Sequence, residues 1–534
     1  MRFCFILIFL IYFGFDTYSQ RFEIEFQQCY GGSNGDVGKD IFMLPDSTFI
    51  IFAGTASQDG TVSYNHGDGD FWLLRTDING AILWEKTYGG GDTDSRVNMK
   101  ITSEGDFVMF GDTQSNNGDV SGNHGGYDYW VVKTNNQGNL LWQRCLGSSV
   151  NDLALQMKLD DEDNIYVIGE SFGDDGDITV PCSFLDFWIV KLSPDGDLLW
   201  DRTLGGSNWE TGVCILPTTD GGYIAGGFTS SNDGDVSCTE PSLEQADAWI
   251  VKLDSNNNIQ WDQCYGGSFN ETTTDIIATE DGGYIFVGGT NSNDGDVSGF
   301  HGTPGGDYDI WVWKTDAWGN LEWQRCLGGS LREGRGEITY ADNGEYIING
   351  FTESNDGDVS GNHSTPGYSD MWILKIDSEG GLLWQQCFGS SGSEGASGIC
   401  IINEIEIMVT GGTGEADGSV DCDLYPGAMN YADLWFFKII DTVSVYSNEH
   451  NIDKLTISLY PNPAQDIMYY HIYPSQDNLV LKLFDIYGQK VDEYPFSDNE
   501  SQIKIEVAEY HSGIYVAVLF LNNRVLDRRQ FIIN

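Results

Sequence analysis

A short string made of Asp, any residue, Trp, two apolar residues and a base occurs seven times in this chain, and no other feature restricts its fold as tightly. The copies are "DFWLLR", "DYWVVK", "DFWIVK", "DAWIVK", "DIWVWK", "DMWILK" and "DLWFFK". Their tryptophans, Trp72, Trp130, Trp188, Trp249, Trp311, Trp372 and Trp435, stand 58 to 63 residues apart. A fixed period of this size, with apolar alternation inside each unit, marks a repeat architecture whose units bury their faces against one another. The reading is all-β, a seven-bladed β-propeller.

Each unit parses into four strands, A to D. In the third, "LALQMKLD" and "NIYVIGES" flank "DEDN", while "DFWIVKLS" and "DLLWDRTL" flank "PDG". A second Trp follows the first by twelve residues in six units, at Trp84, Trp142, Trp200, Trp261, Trp323 and Trp384. The seventh unit lacks this D strand. Its match lies at the other end of the chain, where "FEIEFQQCYGG" from Phe22 aligns with "GNLLWQRCLGG" and Phe26 takes the Trp place. An N-terminal strand in the last blade closes the ring and removes its open edges.

The A-B-C-D order with "G-x-L-x-W" on strand D resembles the Trp-docked propeller repeats of the pyrroloquinoline-quinone type and, more distantly, kelch repeats, over roughly residues 22–440. That resemblance implies the fold. Quinone enzymes need a central constellation and metal ligands, and no matching set occurs here, so no cofactor is carried over.

The B–C and D–A connections are expected on one face of the ring. "SNDGDVS" is repeated unchanged in the B–C loop at Ser231–Ser237, Ser292–Ser298 and Ser354–Ser360, and the D–A loops carry "GGS" followed by an acid. Asp-Gly and Asn-Gly form turns, and Asp accepts backbone N–H bonds there. The alternative is calcium, bound through hard oxygen ligands by Asp233/Asp235, Asp294/Asp296 and Asp356/Asp358 with nearby carbonyls. Four histidines, His66, His124, His301 and His363, share one B–C loop position and read first as copied loop residues, with transition-metal binding as the minority reading. The Asp and base around each C-strand Trp recur in all seven units. A catalytic site needs one constellation, so these positions read as scaffold.

Ten cysteines remain beyond residue 19. Cys29, Cys145, Cys264, Cys326 and Cys387 share one D-strand position, a blade apart and too distant to pair with one another. Only units four and seven combine an A-strand Cys with a B–C loop Cys, which predicts the disulfides Cys214–Cys238 and Cys400–Cys422 and leaves Cys182 unassigned.

Residues 1–19 read as a secretory signal: Arg2, an apolar run from Phe3 to Phe15, then small and polar residues before Gln20. The propeller is expected over 20–441 and a linker over 442–455. A second β segment, an Ig-like sandwich, follows over 456–534. Within it "LYPNPA" at Leu459–Ala464, "DIYGQKV" at Asp485–Val491 and "SGIYVAVL" at Ser512–Leu519 resemble, in that order, the type A sorting domain of the bacterial type IX secretion system. That resemblance implies a Bacteroidetes-type bacterium, Sec passage, outer-membrane export to the surface or outside, and the secretion machinery as a partner.

Lys+Arg of 26 against Asp+Glu of 81, a net charge of −55, repels nucleic acid and anionic lipid and attracts cations. No segment beyond the signal is long and apolar enough for a transmembrane helix. The leading expectation is therefore a non-enzymatic binding or adhesion module meeting a glycan, peptide or cell-surface protein. The alternative is a secreted carbohydrate- or protein-degrading enzyme with its active site at the central channel. No nucleophile motif, zinc signature or asymmetric acid/His cluster stands out to support it. The departures from sevenfold symmetry to inspect are Trp209, Arg332 and the loop around Tyr425-Pro426-Gly427.

Overall fold

The structure, a computed structural model, describes residues 22–238, 245–341, 344–403, 405–422, 432–441, 456–460, 467–473, 479–485, 490–495, 502–507, 510, 513–521 and 524–533. The expected signal, the linker and the Tyr425-Pro426-Gly427 loop lie outside the described residues. Seven antiparallel sheets of four strands follow one another, the first ordered Asp36–Met43, Phe49–Thr55, Asp70–Thr76, Ile82–Tyr88. The seventh is ordered Gly395–Ile401, Glu406–Thr413, Asp433–Asp441 and then Phe22–Tyr30, so the amino end supplies its D strand. Phe26 stands opposite Lys438 as Trp84 stands opposite Arg75, the register expected from the alignment.

One backbone bond joins each blade to the next. The N–H of the acid that opens strand A donates to a carbonyl just before strand C of the preceding blade: Asp94 to Gly69, Asp152 to Tyr127, Glu210 to Leu185, Glu271 to Ala246, Glu333 to Tyr308, Glu394 to Ser369, and, between blades 7 and 1, Asp36 to Ala432 at 2.7 Å. The ring is closed by the same device that builds it.

The C-strand tryptophans fill the gaps between sheets, all seven fully buried. A buried indole N–H needs an acceptor. Each finds one on strand D of its own blade: Glu85, Gln143, Asp201, Asp262, Gln324, Gln385 and, for Trp435, Gln27 of the N-terminal strand at 2.9 Å. The base three residues on pairs with an acid of its own blade, as Arg75 with Asp46 at 2.5 Å, Lys191 with Asp160 at 3.1 Å and Lys252 with Asp220 at 2.9 Å. Lys438 meets both Glu406 and Glu25 of the N-terminal strand.

The disulfides differ from the expected pairs. Cys238 is bonded to Cys264 and Cys29 to Cys422, while Cys214 and Cys400 are free thiols. The reason is the course of the B–C loop. Its last Ser is stitched to strand D, as Ser237 N–H and Oγ donate to Asp262, which places the following cysteine over the outermost strand. Strand A lies three strand spacings inward, about 14 Å. In blade 3, where Thr203 replaces the D-strand cysteine, its hydroxyl donates to Val180 of the B–C loop and Cys182 stays reduced.

The C-terminal segment forms two further sheets. One is ordered Thr456–Tyr460, Ile467–Tyr473, Gln502–Glu506; the other Lys490–Pro495, Leu479–Asp485, Gly513–Leu521, Arg524–Ile533. Buried residues come from both, Ile503 and Ile505 from the first and Leu481, Leu483 and Ala517 from the second. There is no helix among the described residues.

Candidate functional site

The repeated loop string is a clamp between the two connections on one face. In blade 4, Ser231 Oγ accepts from Asn208 N–H at 2.8 Å and Asp233 Oδ1 accepts from Ser207 N–H at 2.8 Å. Gly234 has φ +68°, and a β-carbon there would lie 2.4 Å from the Gly205 carbonyl, so only glycine fits. Asp235 N–H donates to that same carbonyl at 2.9 Å, and Val236 is buried beneath. Blades 5 and 6 repeat this: Asp294 and Asp356 accept from Ser268 and Ser330, and Asp296 and Asp358 from Gly266 and Gly328 at 3.3 Å. The six carboxylates considered for calcium therefore sit as three pairs in three separate blades, five of them accepting from backbone N–H groups and Asp235 meeting Arg202 at 3.4 Å. Among the described residues no three His, Cys, Asp or Glu side chains converge as a metal centre.

Beneath the clamp, six of the seven blade interfaces bury two carboxyl groups; between blades 4 and 5 Glu271 is buried and Asp247 half-buried. In the first, Asp70 opens strand C of blade 1 and Asp94 opens strand A of blade 2; a β-carbon on Gly89 would lie 2.3 Å from Asp70 Oδ1 and 2.6 Å from Asp94 Oδ2. The glycine's α-hydrogen thus occupies a gap that no side chain could share. Asp94 Oδ2 accepts from Gly90 N–H at 2.6 Å, and Thr113 donates to Oδ1. Burial pushes Asp94, Asp152 and Asp186 up to about 6 and Glu333 up to about 7, against these hydrogen bonds.

The four loop histidines bridge blades. His66 Nδ1 lies 2.6 Å from Asp70 of its own blade, and Nε2 lies 3.4 Å from Asp119 of the next. His124 joins Asp128 and Asp177 in the same way, and His301 joins Asp309 and Asp358; His363 reaches Asp370 and Ser419. Hydrogen bonds to their carboxylates raise His301 and His363 above the ordinary histidine value.

The channel holds what sequence reading missed. Past the bulge in the A strands of blades 1, 2, 3 and 5, a side chain accepts from a backbone N–H of the next blade: Asp40 from Met99, Asn98 from Met157, Gln156 from Ile215 and Asp275 from Ile338. These bonds satisfy one N–H on the inner edge strand of blades 2, 3, 4 and 6. Two ion pairs cut across instead of following the ring. Lys39 of blade 1 reaches Glu337 of blade 6 at 3.0 Å, and Lys158 of blade 3 reaches Asp275 of blade 5 at 3.4 Å, where Gln156 also donates. Lys100 donates to the Met99 carbonyl and lies 5.5 Å from the Phe42 ring, and burial lowers it from the ordinary lysine value. The channel is bridged by charged side chains.

On the loop face, Trp209, Phe184 and Phe172 form an exposed aromatic cluster, 60%, 47% and 51% accessible. The Phe184 and Trp209 rings are parallel within 7°, centroids 6.4 Å apart, and Phe172 meets Phe184 edge-on at 5.9 Å. The Trp209 backbone is held on both sides: its N–H donates to Ser230 Oγ, its carbonyl accepts from Ser230 N–H, and Glu210 N–H donates to Leu185. Arg332 instead folds over the Phe351 ring at 5.3 Å.

Residues 458–534 match the family described as the secretion system C-terminal sorting domain. This tail marks proteins that type IX secretion exports to the cell surface or outside, and it implies contact with that machinery. Among the described residues, no helix is long and apolar enough to cross a membrane. The "Regulatory protein FlaEY" of Caulobacter vibrioides is 23% identical over 377 residues, covering 64% of this chain and 39% of that protein, so the chain spans about two-fifths of that relative's length. Similar solved structures include PorZ, a surface component of the type IX secretion system of Porphyromonas gingivalis, at 10% identity and TM-score 0.37 over 91% of this chain and 58% of that one. A protein of unknown function from Bacteroides caccae gives 11% identity and TM-score 0.37, over 69% and 98%. An ulvan lyase of polysaccharide lyase family PL25 gives 10% identity and TM-score 0.40, over 72% and 93%.

Proposed function

We propose that this exported propeller is a binding module without a catalytic step, whose loop face holds an extracellular glycan, peptide or surface protein. The aromatic cluster carries this reading. Three large apolar side chains left in water cost free energy, and here they stand on loops fixed by backbone bonds, the arrangement of a preorganised contact surface. The ion pairs across the channel speak against the alternative of a polymer-degrading site there, since a substrate chain would have to break both. A glycan and hydrolase-substrate screen on the folded protein tests this. Binding without turnover, lost in Trp209→Ala with an unchanged melting temperature, is the expected result, and turnover on any polymer overturns it.

Calcium binding at Asp233, Asp235, Asp294, Asp296, Asp356 and Asp358 is a second proposal. The carboxylates keep free lone pairs beyond the backbone bonds they accept, and the net charge of −55 favours cations. A rise in melting temperature with millimolar calcium on the chelated protein is the expected result, and no shift removes the proposal.

A further inference from the structure

The blade interfaces follow a rule with one exception. Wherever the second loop acid is Asp, a nitrogen base of the preceding blade faces it: His66 faces Asp119, His124 faces Asp177, Arg202 faces Asp235 at 3.4 Å, and His301 faces Asp358. Asp296 of blade 5 breaks the rule. The D-strand position that carries Arg202 in blade 3 carries neutral Gln263 in blade 4; both stand opposite an isoleucine in the ladder, Ile189 and Ile250. The sequence from Ser230 to Val251 holds no His, Lys or Arg.

Two consequences are visible. Asp119, Asp177, Asp235 and Asp358 are half-buried under their partners, whereas Asp296 is exposed. Beside Gln263 and Asp296 there is a cleft of about 600 Å³. Asp296 and Asp294 line it from blade 5, Asp247, Asp262 and Gln263 from blade 4, and the Cys238–Cys264 disulfide forms one wall.

From this we infer that the cleft between blades 4 and 5 binds the guanidinium or imidazolium group of a ligand, which takes against Asp296 the place that Arg202 and the three histidines fill at the sibling interfaces. This goes beyond the aromatic cluster and rests on a different observation. The chemistry is that of a planar N–H cation meeting a carboxylate in a concave acidic wall, where several acids focus the field on one position. A guanidinium suits it better than an ammonium, since its planar fork offers paired donors.

The test is calorimetric titration of the full mature chain with arginine amide, with the neutral isostere citrulline amide as control. One-to-one binding is expected for arginine amide, at least tenfold weaker for citrulline amide and at least tenfold weaker in Asp296→Asn. Gln263→Arg, which supplies the guanidinium internally as blade 3 does, should abolish binding without lowering the melting temperature, and it keeps the test decisive if Asp296→Asn misfolds. A Gly-Arg-Gly peptide that binds at least tenfold tighter than arginine amide assigns the cation to a polypeptide partner, and equal affinity assigns it to a small molecule. No binding of arginine amide, unchanged affinity in either variant, or saturable calcium binding where arginine amide is silent would overturn the inference. Loss of the aromatic contact in Trp209→Ala should leave this titration unchanged.

Discussion

At the scale of single residues, the first glycine of each D–A loop and the acids around it set the tolerance of the ring. Gly89→Ala places a methyl against Asp70 and Asp94, both buried, and should cost about 1–3 kcal/mol by denaturant unfolding. Gly395→Ala, whose β-carbon meets nothing within 4 Å, should cost less than about 0.5 kcal/mol. The same acids give a pH dependence with a definite sign. A carboxyl raised in the folded state favours its neutral form, so its stabilisation is present at low pH and is lost as pH rises through the folded value. With Asp94, Asp152 and Asp186 raised from 3.8 to about 6 and Glu333 from 4.5 to about 7, the urea midpoint should fall as pH rises from about 4 to about 7. His301 and His363, raised by their carboxylates, add to the fall, since their contribution also disappears on deprotonation. Asp220 and Asp281, held at about 2 chiefly by hydrogen bonds that include Lys252 and Lys314, act oppositely and weaken the fold only in stronger acid. Asp94→Asn should flatten the fall between about pH 4 and pH 6, and an unchanged slope would show that these pairs do not titrate in that range.

At the scale of elements, strand C is the unit on which each blade is built. Trp130→Ala opens a cavity between blades 1 and 2 and removes the indole donor from Gln143 Oε1, with an expected loss of about 3–5 kcal/mol by the same measurement. Strand order and the N-terminal strand's register were legible in the sequence because both follow from spacings of Trp and Phe26 that one chain displays seven times over. The disulfides were not. Cys238 and Cys422 had to be placed over a strand, and the clue was the Ser or Asp beside them, whose bond to strand D is visible only once the loop is folded back. The channel pairs were hidden for a different reason: Asp275 and Glu337 share one A-strand position with Asp40, and Lys158 shares another with Lys100, so nothing in the repeat marks them out, and pairing blade 1 with blade 6 requires the closed ring first.

At the scale of the whole molecule, closure makes the ends interdependent. Removing residues 20–30 uncovers the outer edge of blade 7 and strands Trp435 without Gln27. The truncated protein should lose its monomer peak on gel filtration, and a stable monomer would mean that the seventh blade stands on three strands. The most direct test is non-reducing peptide mapping of the mature protein, because one cross-link, Cys29–Cys422, joins the amino end to the last blade across 393 residues. Peptides linking Cys29 to Cys422 and Cys238 to Cys264, with Cys214 and Cys400 alkylated as thiols, are the predicted result. Recovery of Cys29 as a free thiol, or bonded to any other cysteine, would contradict the closed ring.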